Sequence, residues 1–162
     1  MALRSWLCGA LAVTAIALGA AGAASAPARA EIDPKSIAIV PFDKLDFKGQ
    51  ATGVQIASVF GDSNKPELYG IVIKWPPHTH SRPHSHPNER YITVLSGTWW
   101  INTGAKFDPD GMIPMKPGSF IIHHAGEIHY DGTKDEPAMI YIVGMGPAPS
   151  IDREDPSTKS KP

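Results

Sequence analysis

All seven histidines of this 162-residue chain fall between positions 78 and 129: His78, His80, His84, His86, His123, His124 and His129. Neutral imidazole offers a nitrogen lone pair that suits zinc, copper, iron and nickel, so histidines gathered in this way point first to a metal. Four of them form two His-x-His pairs, His78-Thr79-His80 and His84-Ser85-His86. Residues two apart on a strand face the same side, so either pair can aim two nitrogens at one point. A third imidazole from a neighbouring strand would complete a facial set. Either pair also fits a solvated loop rich in His and Pro, and the pairs alone leave that choice open.

The glycines around the histidines separate the two pairs. From His84 the chain reads His-Ser-His-Pro-Asn-Glu-Arg-Tyr-Ile-Thr-Val-Leu-Ser-Gly, ending at Gly97. This resembles the first motif of the cupin superfamily, which ends H-x-H-x(3 or 4)-E-x(6)-G. The same count started at His80 lands on Tyr91, so His78 and His80 do not fit. The second cupin motif is G-x(5)-P-x-G-x(2)-H-x(3)-N, and Gly118, Gly126 and His129 stand at its two glycines and its histidine.

The resemblance implies an all-β fold, a single jelly-roll-like β-barrel of the cupin type. It implies one divalent transition metal (Fe, Mn, Zn or Ni) on His84, His86 and His129, and a small-molecule ligand. It also makes a homodimer the default expectation, because cupins often pair through edge strands. The activity implied is that of a metal-dependent enzyme acting on a small oxygenated or carboxylate compound. A dioxygenase comes first, and isomerase or lyase chemistry next. The alternative is a non-catalytic metal-containing barrel that binds or senses a ligand. One fold hosts many functions, so the motifs speak more to architecture than to reaction.

The departures from the motifs carry their own information. The glutamate position, seven residues before Gly97, holds Arg90, and Glu89 sits one residue earlier. On a regular strand Glu89 faces away from Arg90 and from the metal; a bulge would re-aim it as a further ligand. Arg90, if inward, offers a fork that matches a substrate carboxylate. Its bland reading is a surface strand residue paired with Glu89, Asp131 or Glu136. His124 replaces the second motif's proline and Thr133 its asparagine. Since adjacent strand residues face opposite ways, at most one of His123 and His124 lines the cavity, and His124 is a candidate to orient a ligand or move a proton.

These residues need a scaffold of short strands. Stretches rich in Val, Ile, Tyr, Phe and Trp predict strands over 37–41, 54–60, 68–75, 90–95, 98–102, 119–124, 128–131 and 138–143. Turn residues separate them, among them Pro76-Pro77, Ser96-Gly97 and Pro117-Gly118, a pattern that suits a barrel or sandwich. No window of a dozen residues shows a helical apolar period. One of Trp99 and Trp100 must face inward.

Residues 1–30 read as a secretory signal peptide. Arg4 precedes an apolar run, and Ala28-Arg29-Ala30 offers a cleavage site before Glu31. The expected mature chain is periplasmic or secreted, with its barrel over 31–145 and a flexible tail over 146–162. Cys8, the chain's one cysteine, leaves with the signal, which excludes thiol chemistry and Cys-type zinc sites. The chain has 15 basic residues; without Arg4 and Arg29, 13 stand against 16 acidic ones, with no basic patch. Nothing in that balance suggests nucleic acid or an anionic membrane surface, and neither is expected as a partner.

Overall fold

A computed structural model describes residues 32–159. The expected signal peptide and its cleavage site lie outside the described residues. Residues 32–38 form a unit by themselves, with a turn in which Asp33 Oδ1 accepts from the Lys35 amide at 2.9 Å. The strand expected over 37–41 does not form; a short 3-10 turn at Phe42–Lys44 follows.

From there the described residues form ten strands: β1 (Gln55–Phe60), β2 (Leu68–Trp75), β3 (His84–Ser85), β4 (Arg90–Ser96), β5 (Trp99–Thr103), β6 (Ile113–Met115), β7 (Phe120–His123), β8 (His129–Gly132), β9 (Ala138–Met145) and β10 (Ile151–Asp152). They make two antiparallel five-stranded sheets, ordered β1-β2-β9-β4-β7 and β10-β3-β8-β5-β6. The all-β expectation holds.

Sequence explains which strands sit deepest. β2 reads Leu-Tyr-Gly-Ile-Val-Ile-Lys-Trp, an almost unbroken apolar run, and lies between β1 and β9 with six of its eight residues buried. β9 alternates strictly, with Ala138, Ile140, Ile142 and Gly144 inward and Met139, Tyr141 and Val143 half-buried on the other face. The inward side chains of β2, β4 and β9 meet Trp99 of β5 in one core. Trp99 is thus the inward member of its pair, while Trp100 lies under the Lys134 ammonium.

The turn from β4 to β5 depends on Gly97. Its φ is +71°, and an added Cβ would lie 1.9 Å from the Pro137 carbonyl oxygen. No side chain fits there, which accounts physically for the glycine that fixes the motif's spacing.

The expected flexible tail is instead tied down as far as residue 159. β10 pairs with β3, the Ala148 amide donates to Ser63 O at 2.8 Å, and the Asp155 amide donates to Ala105 O at 2.8 Å. The Arg82 guanidinium clasps the Glu154 carboxylate, with Nε to Oε2 at 3.0 Å. A Pro/Ser/Lys composition predicts disorder only where no partner edge exists, and here β3 supplies one.

Candidate metal centre

The two sheets bring the motif histidines together from strands far apart in sequence. His84 on β3 is the direct cross-strand partner of His129 on β8, so both rings leave the same face with centroids 4.5 Å apart. His86, two residues beyond His84, returns to that face, 4.9 Å from the His84 ring. Their ligand atoms all lie within 4.8 Å of one another.

Backbone carbonyls fix how each ring presents itself. His84 Nδ1 donates to Arg82 O at 2.8 Å, His86 Nδ1 to Pro149 O at 2.9 Å, and His129 Nδ1 to Glu127 O at 3.2 Å. A carbonyl only accepts, so in every case the proton sits on Nδ1 and the lone pair on Nε2. Burial first, then the Arg90 charge, pushes the His86 pKa down to about 3; burial, then His84, pushes His129 to about 4. Both rings are neutral, the form a metal binds.

The three Nε2 atoms then confront one another. His84 Nε2 lies 3.1 Å from His86 Nε2, and His129 Nε2 is buried without a partner. Facing lone pairs repel unless a cation lies between them. Two nitrogens bound about 2.0–2.1 Å from one metal stand roughly 2.9–3.4 Å apart, which the spacing matches. The donor set fits a divalent transition metal bound at His84, His86 and His129, with further positions open.

The alternation of β4 separates the two residues left open by the sequence. Arg90 points inward: its Nη1 donates to His86 Nε2, and its Nε is buried without a partner. Glu89 points out of the barrel, which corrects its candidacy as a ligand. Its carboxylate accepts from Tyr91 Oη at 2.8 Å and lies 3.1 Å from His124 Nδ1, and these contacts lower its pKa. No bulge interrupts β4 at this point; its register shift falls between Val94 and Ser96.

His124, a candidate to orient a metal ligand, is likewise on the outside with Glu89. Its neighbour His123 takes the inner place, opposite Arg90 on β4, tilted 3.7 Å from the His129 ring and stacked 5.8 Å from Trp99. Burial drives the His123 pKa to about 2, and its Nδ1 has no partner. His78 is exposed near Asp135, and His80 packs against Phe107; neither joins the three.

Sequence reasoning also missed Asp131. It stands two residues from His129 on β8, is 5% exposed, and accepts from Ser81 Oγ at 3.2 Å. Burial raises its pKa. Its signal was the His129-x-Asp131 spacing, the same rule of two that marks the His-x-His pairs.

His84, His86, Arg90, His123 and Asp131 open on a cavity of about 490 Å³. Its far wall is apolar, made by Ile71, Ile73, Ile140, Ile142, Trp75 and Trp99. A small ligand would have a dry wall on one side and a cationic, metal-ligating face on the other.

No protein-family model matches the sequence, and no curated protein sequence does. Solved structures do match. The chain is similar to the polyketide cyclase RemF from Streptomyces resistomycificus at 17% identity and TM-score 0.60, over 75% of this chain and 89% of that one. It is similar to an uncharacterized double-stranded β-helix protein from Klebsiella pneumoniae at 20% identity and TM-score 0.56, over 72% and 97%. It is also similar to an RmlC-like cupin from Shewanella frigidimarina at 12% identity and TM-score 0.53, over 67% and 90%. At such identities the likeness speaks to architecture, and it agrees with the motif glycines and the strand order. The fold is the double-stranded β-helix architecture of these cupin-like structures.

Proposed function

We propose that the protein is an exported, metal-dependent enzyme that acts on a small oxygenated compound bearing a carboxylate, with oxygen-dependent cleavage as the first reaction to test. One observation carries this reading: three imidazoles, each held by a carbonyl at Nδ1, cluster within 4.8 Å of one another, and two of them, His84 and His86, line a cavity that also holds the Arg90 guanidinium. A bound divalent metal would supply Lewis acidity and, if it is iron, a means of activating oxygen.

The chain's own residues divide the remaining work. His84, His86 and His129 hold the metal and leave neighbouring positions open. Arg90 binds and orients the substrate carboxylate through paired N–H donors. Trp99 and the isoleucines of β2 and β9 exclude water from the reacting end. Asp131 and His123 face the same cavity and are the groups placed to take or return a proton. Among the similar structures RemF is a polyketide cyclase, which supports an enzymatic use of this fold.

A ligand-binding barrel without turnover is the second reading, favoured by a cation standing where the motif has a fourth ligand. Protein recovered from its exported compartment should contain about one transition metal per chain. It should also consume oxygen with members of a panel of small hydroxy- and keto-carboxylates. Metal without turnover on any of them, in air or with non-redox substrates, would favour the binding barrel; failure to take up metal even when a transition metal and a carboxylate are supplied together would end both readings.

A further inference from the structure

Arg90 does something odd for a residue beside a metal site: it occupies the lone pair that the metal needs. Its Nη1 donates to His86 Nε2, and His86 has no second lone pair, because its Nδ1 proton is committed to Pro149 O. One lone pair cannot serve a guanidinium and a metal at once. Arg90 must leave His86 before the third imidazole can coordinate.

Arg90 has no direct ion-pair partner, although the Asp131 carboxyl in the same cavity feels its charge. Among the described residues no carboxylate oxygen comes within ion-pair distance of its guanidinium. Its direct cross-strand partners are His123 and Gly144. Its Nε is buried without an acceptor. Asp131, the acid that lines the same cavity, is engaged by Ser81 Oγ instead. A cation inside the barrel with an unsatisfied donor is costly, and a divalent metal arriving beside it adds repulsion at low dielectric.

We infer that metal and a carboxylate load this site cooperatively, each raising the affinity of the other, with Arg90 as the residue that couples them. The inference rests on the metal reading above. A carboxylate removes both obstacles in one step. It gives the guanidinium a bidentate partner, which draws Nη1 off His86 and frees the lone pair. It also sets a negative charge between the two cations. By linkage, whatever factor the anion contributes to metal affinity the metal returns to anion affinity. The free protein therefore resists metal until its ligand, or a stand-in for it, is present.

The experiment is a titration of metal-free, full-length protein with Co(II), followed by calorimetry and visible absorption in carboxylate-free buffer purged of carbon dioxide. Three conditions are compared: no addition, acetate, and the neutral isostere acetamide. Acetate should tighten Co(II) binding by roughly ten-fold or more and alter the cobalt spectrum, and acetamide should do neither. Arg90→Gln should bind Co(II) without acetate more tightly than the parent, and acetate should no longer help it. The acetate-against-acetamide comparison is made on the parent chain, so it stands even if Arg90→Gln folds poorly. Equal Co(II) affinity in all three conditions overturns the coupling and leaves the three-histidine site standing. Failure to bind Co(II) in any condition overturns both.

Discussion

Three neutral histidines inside one barrel make the metal-free protein acid-sensitive. In the folded chain His86, His129 and His123 have pKa values pushed from the usual 6.5 to about 3, 4 and 2, in each case mainly by burial. An unfolded chain protonates the same groups near their ordinary value. As pH falls through 6.5 the unfolded state therefore takes up protons that the folded state refuses. Stability is lost progressively from there down to the folded values. Between about pH 7 and pH 5 each histidine that protonates only when unfolded removes roughly 2 kcal/mol, so three remove roughly 6. Water on the cavity side of His86 and His129 screens part of this, and roughly 4 kcal/mol is the expected loss. That is a large share of the 5–15 kcal/mol typical of a domain. Guanidinium unfolding of chelator-treated protein, read by tryptophan fluorescence at several pH values, measures it directly. His123→Gln should reduce the slope by about a third, since one of three silent protonation sites is gone. A metal-free protein whose stability is flat between pH 7 and pH 5 would show that these rings are not held neutral and would undo the reasoning.

Single changes of His84, His86 or His129 to Ala should each strip most of the metal, whereas His78→Ala, His80→Ala and Glu89→Gln should leave it in place, as judged by elemental analysis. Gly97→Ala should destabilise the fold by at least about 2 kcal/mol and lower Tm accordingly, because a Cβ at this positive φ meets the Pro137 carbonyl. N-terminal sequencing of the exported form should read from Glu31; a full-length, membrane-extracted product would contradict the signal-peptide reading.

Much of the scaffold was legible because the long strands are patterned. β2, β4 and β9 carry enough Val, Ile and aromatic residues to be read without help, and the count from His86 to Gly97 picked out the histidine pair that the sheets bring beside His129. The short strands were not legible. β3 is two residues inside a Pro/His segment, β6 reads Ile-Pro-Met, and β10 lies in a stretch whose composition suits disorder. Each exists through pairing with a distant edge, which local propensity cannot report. The same limit explains the errors of face. His123 and His124 differ by one position, and only the register with β4 decides which is inside. Asp131 was read as a surface partner because nothing local says that β8 lies under the 78–86 segment, whose Ser81 reaches it.

The carbonyl that aims His86 belongs to a residue 63 positions further along the chain. During synthesis His84, His86 and even His129 are all made before Pro149 exists to receive the His86 proton. If the chain crosses a membrane unfolded, as a secretory leader would direct, the donor set closes only after that stretch has emerged. The choice of metal is then made from whatever the destination compartment supplies, not from the cytoplasmic pool. In a chain exported that way, a late carbonyl would act as a timing device, and the order of translation would keep the site from filling in the wrong place.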